Sequence, residues 1–216
     1  KVAICWVGEN NRERILTYYQ LHKEVMRFSN GLKSLGVQKG DRVCIYMPAV
    51  PEMVVAMLAC ARIGAVHTVV FAGYGAKALN ERIVGSQAKI VITADASVRR
   101  GGSIPLKPIV EEAIINAPTI ERVVVLRTQE PKVGLLDDLE VDYEDLISSA
   151  ARHCPPEPVS SEDPLFILYT SGTTGAPKGI VHAAGGYMVG AYYTTKYILT
   201  LQENDLYWCT ADPGWI

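Results

Sequence analysis

Paired cysteines, a leader peptide, a long uncharged apolar run and an excess of charge are all missing from this sequence, and each absence removes a class of protein. Cys5, Cys44, Cys60, Cys154 and Cys209 are odd in number, widely separated and never spaced Cys-x-x-Cys, so neither a disulfide scaffold nor a zinc or redox motif is indicated. A reducing, cytoplasmic setting is the expectation. No basic start runs into an apolar block as a signal peptide would, and no Asn-x-Ser/Thr acceptor occurs. The most apolar stretch, 53–73, carries Arg62, Gly64 and His67 and changes from helical to β-branched patterning partway. A central arginine in lipid costs about 3 kcal/mol, so this reads as a buried helix leading into a buried strand, and no membrane association is expected. With 21 Lys and Arg against 23 Asp and Glu, no broad basic field exists to hold a nucleic-acid backbone or an anionic membrane. No nucleic-acid partner is expected, and binding must occur at a local site.

What remains is a globular chain of 216 residues whose 49% apolar content suffices for a sizeable core. Residues 2–7 and 12–17 read as a hairpin joined by turn residues, and Thr17-x-x-Gln20 has the spacing of a helix capping box. Short apolar strands at 42–47, 66–71, 89–94 and 122–126 alternate with helices beginning at Pro51 and near 76–86, 106–116 and 142–151. That alternation predicts an α/β fold, a mostly parallel sheet layered between helices on both faces. The stretch 154–164, CPPEPVSSEDP, has four prolines and no periodicity and reads as a linker. It divides a first α/β subdomain, 1–153, from the start of a second, 165–216, with strands at 165–170, 179–182 and 206–211 and a helix over 184–199. The chain begins at Lys1 inside a strand-like run and stops after ADPGWI without a cap or polar tail, so a portion of a longer protein is expected.

Between the first two of those later strands lies TSGTTGAPK, which is neither a Walker loop nor G-x-G-x-x-G. Its chemistry is still that of a phosphate cradle. Gly172 and Gly175 let backbone N–H groups approach an oxyanion, Thr170, Ser171, Thr173 and Thr174 add hydroxyl donors, and Lys178 adds a compact positive charge. A solvated hairpin connection is the other reading of the same composition.

The order Y-T-S-G-T-T-G-x-P-K-G over 169–179 resembles the core loop of the adenylate-forming superfamily, and SEDPLFILYTSG, HAAGGYMVGA, VITADASVRRGGSIPLK and DLYWCTADPGWI are similar to its acetyl-coenzyme A synthetase branch. The likeness covers essentially the whole chain and implies part of the large amino-terminal domain of such an enzyme. It implies activation of acetate by ATP to acetyl-adenylate and pyrophosphate, then acyl transfer to the thiol of coenzyme A (CoA). On this resemblance the loop holds ATP's β- and γ-phosphates, with Mg2+ entering alongside ATP. Gly73 and Arg99 lie against the nucleotide end of CoA, with Arg100, Gly101 and Gly102 counted in the same CoA-binding segment, and Trp215 borders the pantetheine tunnel. Two departures stand out: the family's lysine at position 176 is alanine, and its second arginine aligns with Gly102, while an extra arginine stands at Arg100 beside Gly101. His182 is expected to be structural, His67 buried, His22 and His153 solvated, and Asp212 to order a turn without catalysis. No catalytic residue is expected within these 216 residues, so the portion alone is expected to be inactive. A propionyl- or other short-chain acyl-CoA synthetase, or a CoA- or nucleotide-binding module without chemistry of its own, fits the same residues.

Overall fold

A computed structural model describes residues 1–170 and 175–214. The first hairpin pairs β1 (Val2–Val7) with β2 (Glu13–Thr17). Thr17 then caps α1 (Tyr18–Ser34) with the expected box: its Oγ1 accepts from Gln20 N, and the Gln20 side chain reaches back to Thr17 N at 2.8 Å. Such a cap contributes about 1 kcal/mol. Leu21, Val25, Phe28 and Leu32 line its buried face, and Phe28 stacks on Tyr143 at 4.7 Å.

Strands β3 (Arg42–Tyr46), β4 (Val66–Val69), β5 (Ile90–Ala94) and β8 (Arg122–Leu126) alternate with α2 (Pro51–Arg62), α3 (Ala76–Ser86) and α4 (Lys107–Ile114). The intervening β6 (Ala96–Arg99) and β7 (Gly102–Pro105) form a separate small hairpin. β9 (Glu140–Asp142) leads into α5 (Tyr143–Ser149), while β10 (Pro164–Thr170) and β11 (Lys178–Ala183) precede α6 (Ala184–Tyr193). The seven-stranded sheet has the order β11-β10-β4-β3-β5-β8-β9, parallel except for the antiparallel β10–β11 pair. From β3 the chain steps one way to β4, then crosses back past β3 to β5 and on to β8. Right-handed crossovers in opposite directions place α2 on one face and α3 and α4 on the other. The packing agrees, since α1 lies against α2 and α5 while α3 lies against α4. Strands covered on both faces are largely apolar, and every residue of β5 is buried.

The linker 154–164 is held along α1 and α2. Asn30 Nδ2 donates to the Ala151 and His153 carbonyls, Arg62 Nε to the Cys154 carbonyl at 2.7 Å, and Lys39 pairs with Asp163 at 2.8 Å. The strands that follow it, β10 and β11, extend the same sheet.

Two local expectations need correction. Residues 206–211 form no strand: Leu206, Tyr207 and Trp208 are exposed and this run pairs with no strand of the sheets. The helix expected over 184–199 ends as α-helix at Tyr193 and continues as a π-helical turn, Thr194–Ile198. The stretch SVRRGGSIP, given no element from its sequence, is the β6–β7 hairpin.

Candidate functional site

A cleft of about 610 Å³ opens at the carboxyl edge of the sheet. Its walls are the segments following β3 (48–50), β4 (71–75) and β5 (96–99), residues Thr128 and Gln129 after β8, and residues of the β1–β2 hairpin. Connections leave β3 and β5 in opposite directions, which makes this the topological switch point where open α/β sheets bind ligands.

Two buried polar residues shape the cleft. Tyr46, at the end of β3, donates its hydroxyl to the Tyr74 carbonyl at 2.6 Å and so ties down the 71–75 segment; burial pushes its pKa up to about 12. Asp95, just past β5, collects the donors of the neighbouring segments. Its Oδ1 accepts from Ala96 N (2.8 Å) and Thr128 Oγ1 (2.7 Å), both oxygens accept from Thr128 N (2.9 Å), and Oδ2 accepts from Gln129 N (3.0 Å). Its carbonyl takes the Leu106 and Lys107 N–H groups, closing the β6–β7 hairpin at its base.

Gly73 and Arg99, far apart in sequence, line this one cleft. A Cβ at Gly73 would lie 2.3 Å from the Phe71 ring, so any side chain there would have to displace that ring. Arg100 and Gly101 are the central residues of the β6–β7 turn, with φ of 53° and 75°, opposite the pair Arg99–Gly102. Both angles are positive, as a type I′ turn demands, at a cost of about 1 kcal/mol for the non-glycine residue. The two arginines therefore part company: Arg99 faces the cleft, whereas Arg100, Gly101 and Gly102 form the turn beside it and are not among its lining residues. Sequence reasoning missed Trp6, Glu9 and Arg12, which line the cleft from the first hairpin, and also Thr128 and Gln129. Asp212 lies in the wall and accepts from Gly214 N at 2.8 Å, ordering its turn as expected. Gly214 packs so tightly on the end of β4 that a Cβ would lie 2.6 Å from Phe71 N.

The glycine- and threonine-rich loop joins β10 to β11, whose last register pair is Thr170 with Lys178. Because β10 runs parallel to β4, both residues stand on the edge where the cleft opens. Gly175 has φ of 100°, and Lys178 is exposed with no ion-pair partner among the described residues. Ser171, Gly172, Thr173, Thr174 and Trp215 lie outside the described residues. Arg82 links the loop's strand to the cleft: its buried guanidinium sits 4.5 Å from the Tyr74 ring centroid and 5.8 Å from that of Tyr169. Burial, first of all, raises the Tyr169 pKa.

Of the histidines, His22 and His153 are exposed and His67 is buried, its Nδ1 without a partner among the described residues. Burial lowers the His67 pKa from its ordinary 6.5 to about 4, so the ring is neutral. Phe166 stacks on His67 at 5.6 Å and on His182 at 4.4 Å. Among the described residues, no three His, Cys, Asp or Glu side chains gather to hold a metal, and no helix is long and apolar enough to cross a membrane.

The model of the family described as "AMP-binding enzyme" matches residues 1–216. The chain is 52% identical over 216 residues to an acetyl-coenzyme A synthetase of Chlorobaculum tepidum, covering 100% of this chain and 33% of that protein. It is 52% identical over 217 residues to one of Methanothrix thermoacetophila, with coverage of 100% and 33%. A solved structure, acetoacetyl-CoA synthetase from Streptomyces lividans, superposes with a TM-score of 0.91 at 30% identity, covering 99% of this chain and 32% of that one. The chain thus spans about a third of the length of the relatives it matches.

Proposed function

The chain belongs to the AMP-binding enzymes, and from that premise we propose that it is the amino-terminal portion of an AMP-forming acetate:CoA ligase acting in the cytoplasm. In the first half-reaction the acetate carboxylate attacks the α-phosphorus of ATP, giving acetyl-adenylate and releasing pyrophosphate. In the second, the thiol of CoA attacks the acyl carbon, giving acetyl-CoA and releasing AMP. Identity of 52% to acetyl-coenzyme A synthetases, against 30% to the acetoacetyl-CoA synthetase, favours acetate as the acid.

This portion contributes the handling of phosphates. The loop residues Thr170, Ser171, Gly172, Thr173, Thr174, Gly175 and Lys178 hold the β- and γ-phosphates of ATP. The donor chemistry fits: hydroxyls, glycine N–H groups and a lysine suit the charge that builds on departing pyrophosphate. Mg2+ arrives on those phosphates, supplying further positive charge. The cleft takes the nucleotide end of CoA, with Gly73 allowing close approach and Arg99 gripping a phosphate, the 100–102 turn holding Arg99 in place, and Trp215 beside the pantetheine arm. This portion alone does not form acetyl-adenylate.

The observation that carries the CoA reading is the meeting of Gly73 and Arg99 in one switch-point cleft. In the full-length parent enzyme, Arg99→Ala should raise the KM for CoA roughly ten- to a hundredfold, as loss of a charge-assisted phosphate contact does. Acetate-dependent pyrophosphate exchange should stay unchanged. Dephospho-CoA, which lacks the 3′-phosphate, should be nearly indifferent to the substitution. Equal losses with both ligands would reject the phosphate assignment, and a parallel loss of pyrophosphate exchange would make Arg99 a folding residue.

A further inference from the structure

The β1–β2 hairpin has no part in the roles assigned so far, yet it forms one wall of the cleft. Its turn brings Trp6, Glu9 and Arg12 to the same space as Arg99. Three contacts hold it there. Trp6 Nε1 donates to the Ala49 carbonyl at 2.7 Å, Arg14 pairs with Glu52 and with Glu24, and Glu9 accepts from Gly101 N at 3.2 Å. The last bond joins the turns of the two hairpins directly.

Arg12 is carried on this anchored element, is exposed, and has no ion-pair partner among the described residues. The two carboxylates in the cleft wall are engaged elsewhere, Glu9 by Gly101 N and Asp212 by Gly214 N. Neither Arg12 nor Arg99 has an ion-pair partner among the described residues, and adjoining hairpins present both to one cavity. Meanwhile Gly102 has no side chain to offer, and Arg100 sits at a turn apex outside the lining.

We infer that Arg12 supplies the second cationic contact to the phosphates of CoA's nucleotide end, together with Arg99, with the fixed Trp6 indole as the apolar wall beside it. The inference rests on the CoA reading of the cleft. Guanidinium is suited to the task because it forks a phosphate bidentately and stays charged at any working pH. Two such groups lining one cleft favour a ligand bearing more than one phosphate, and a hairpin already pinned by its own hydrogen bonds loses little freedom on binding.

The test uses the full-length parent enzyme with Arg12→Ala, Arg12→Lys and Arg99→Ala, measuring the KM for CoA and for dephospho-CoA and acetate-dependent pyrophosphate exchange. Arg12→Ala should raise the KM for CoA about tenfold or more with exchange unchanged, and Arg12→Lys should recover part of the loss because the charge remains. If the effect disappears with dephospho-CoA, Arg12 meets the 3′-phosphate; if it persists, Arg12 meets the diphosphate; both support the contact. An unchanged KM for CoA in Arg12→Ala beside a raised one in Arg99→Ala overturns the role of Arg12 and leaves the cleft assigned to CoA. Unchanged values in both variants overturn the CoA reading itself. A loss shared equally by pyrophosphate exchange makes Arg12 structural.

Discussion

Replacing Asp95 with alanine should destabilise the protein and loosen the cleft together. Asp95 is only 3% exposed, and its carboxylate is the acceptor for the backbone N–H groups of Ala96, Thr128 and Gln129 and for the Thr128 hydroxyl. Each buried donor left without a partner costs about 1–3 kcal/mol. Thr128 is exposed, so water can satisfy its N–H and hydroxyl once the carboxylate is gone, but Ala96 is buried and Gln129 half-buried. Two donors stranded at the low to middle end of that range give a loss of about 3 kcal/mol. For a chain of this size that corresponds to a fall in Tm of roughly 10 °C. Asp95→Asn keeps one acceptor oxygen but turns an NH2 toward the same donors, so it should lose a substantial part of that amount. Urea and thermal unfolding of wild type and both variants measure the effect, and the KM for CoA in the parent enzyme reports the cleft. A Tm for Asp95→Ala within about 2 °C of wild type would refute the reasoning, because the donors would then have partners other than Asp95.

Lys178→Ala in the parent enzyme should slow acetate-dependent pyrophosphate exchange about a hundredfold or more, with unfolding little changed because the side chain is exposed; an unchanged rate would return the loop to a plain hairpin connection. His67 makes stability depend on pH. In the folded chain its pKa is lowered to about 4, while the unfolded chain takes up the proton near 6.5, so its contribution is complete above pH 6.5 and is lost as pH falls toward 4. The loss amounts to about 3 kcal/mol by pH 4. Urea unfolding across that window should be steeper in pH for wild type than for His67→Gln, and identical slopes would show that His67 does not govern it.

Much of the fold was legible because the core elements carry their own local signals. The Thr17–Gln20 box, Pro51 at the start of α2 and the largely apolar runs rich in β-branched residues at β3, β5 and β8 each identify an element without tertiary information. The β6–β7 hairpin was not legible, because its strands have four residues each, are mostly exposed, and turn at Arg100 in a conformation usually marked by glycine or asparagine. The run at 206–211 misled for the opposite reason: it has strand-like composition, but a strand is a property of two segments. In the site, Gly73 and Arg99 were chosen by resemblance, and no spacing rule joins them. Trp6 and Arg12 were missed because only the docking of Trp6 on Ala49 turns their hairpin into a cleft wall. The aromatic and the unpaired charge within one short turn were the available signal.

The seven-stranded sheet is not equally strong along its width. Between β3 and β5 four register pairs form a ladder, whereas β10 meets β4 at one, Phe166 opposite His67. Beyond that single rung lies the hairpin that carries Thr170 and Lys178, its outer strand with Ile180 and Val181 exposed. A ladder with one rung is expected to open locally at less cost than global unfolding. If the loop at its tip holds and releases an anion as proposed, the moving part is the part whose backbone amides should exchange with solvent early.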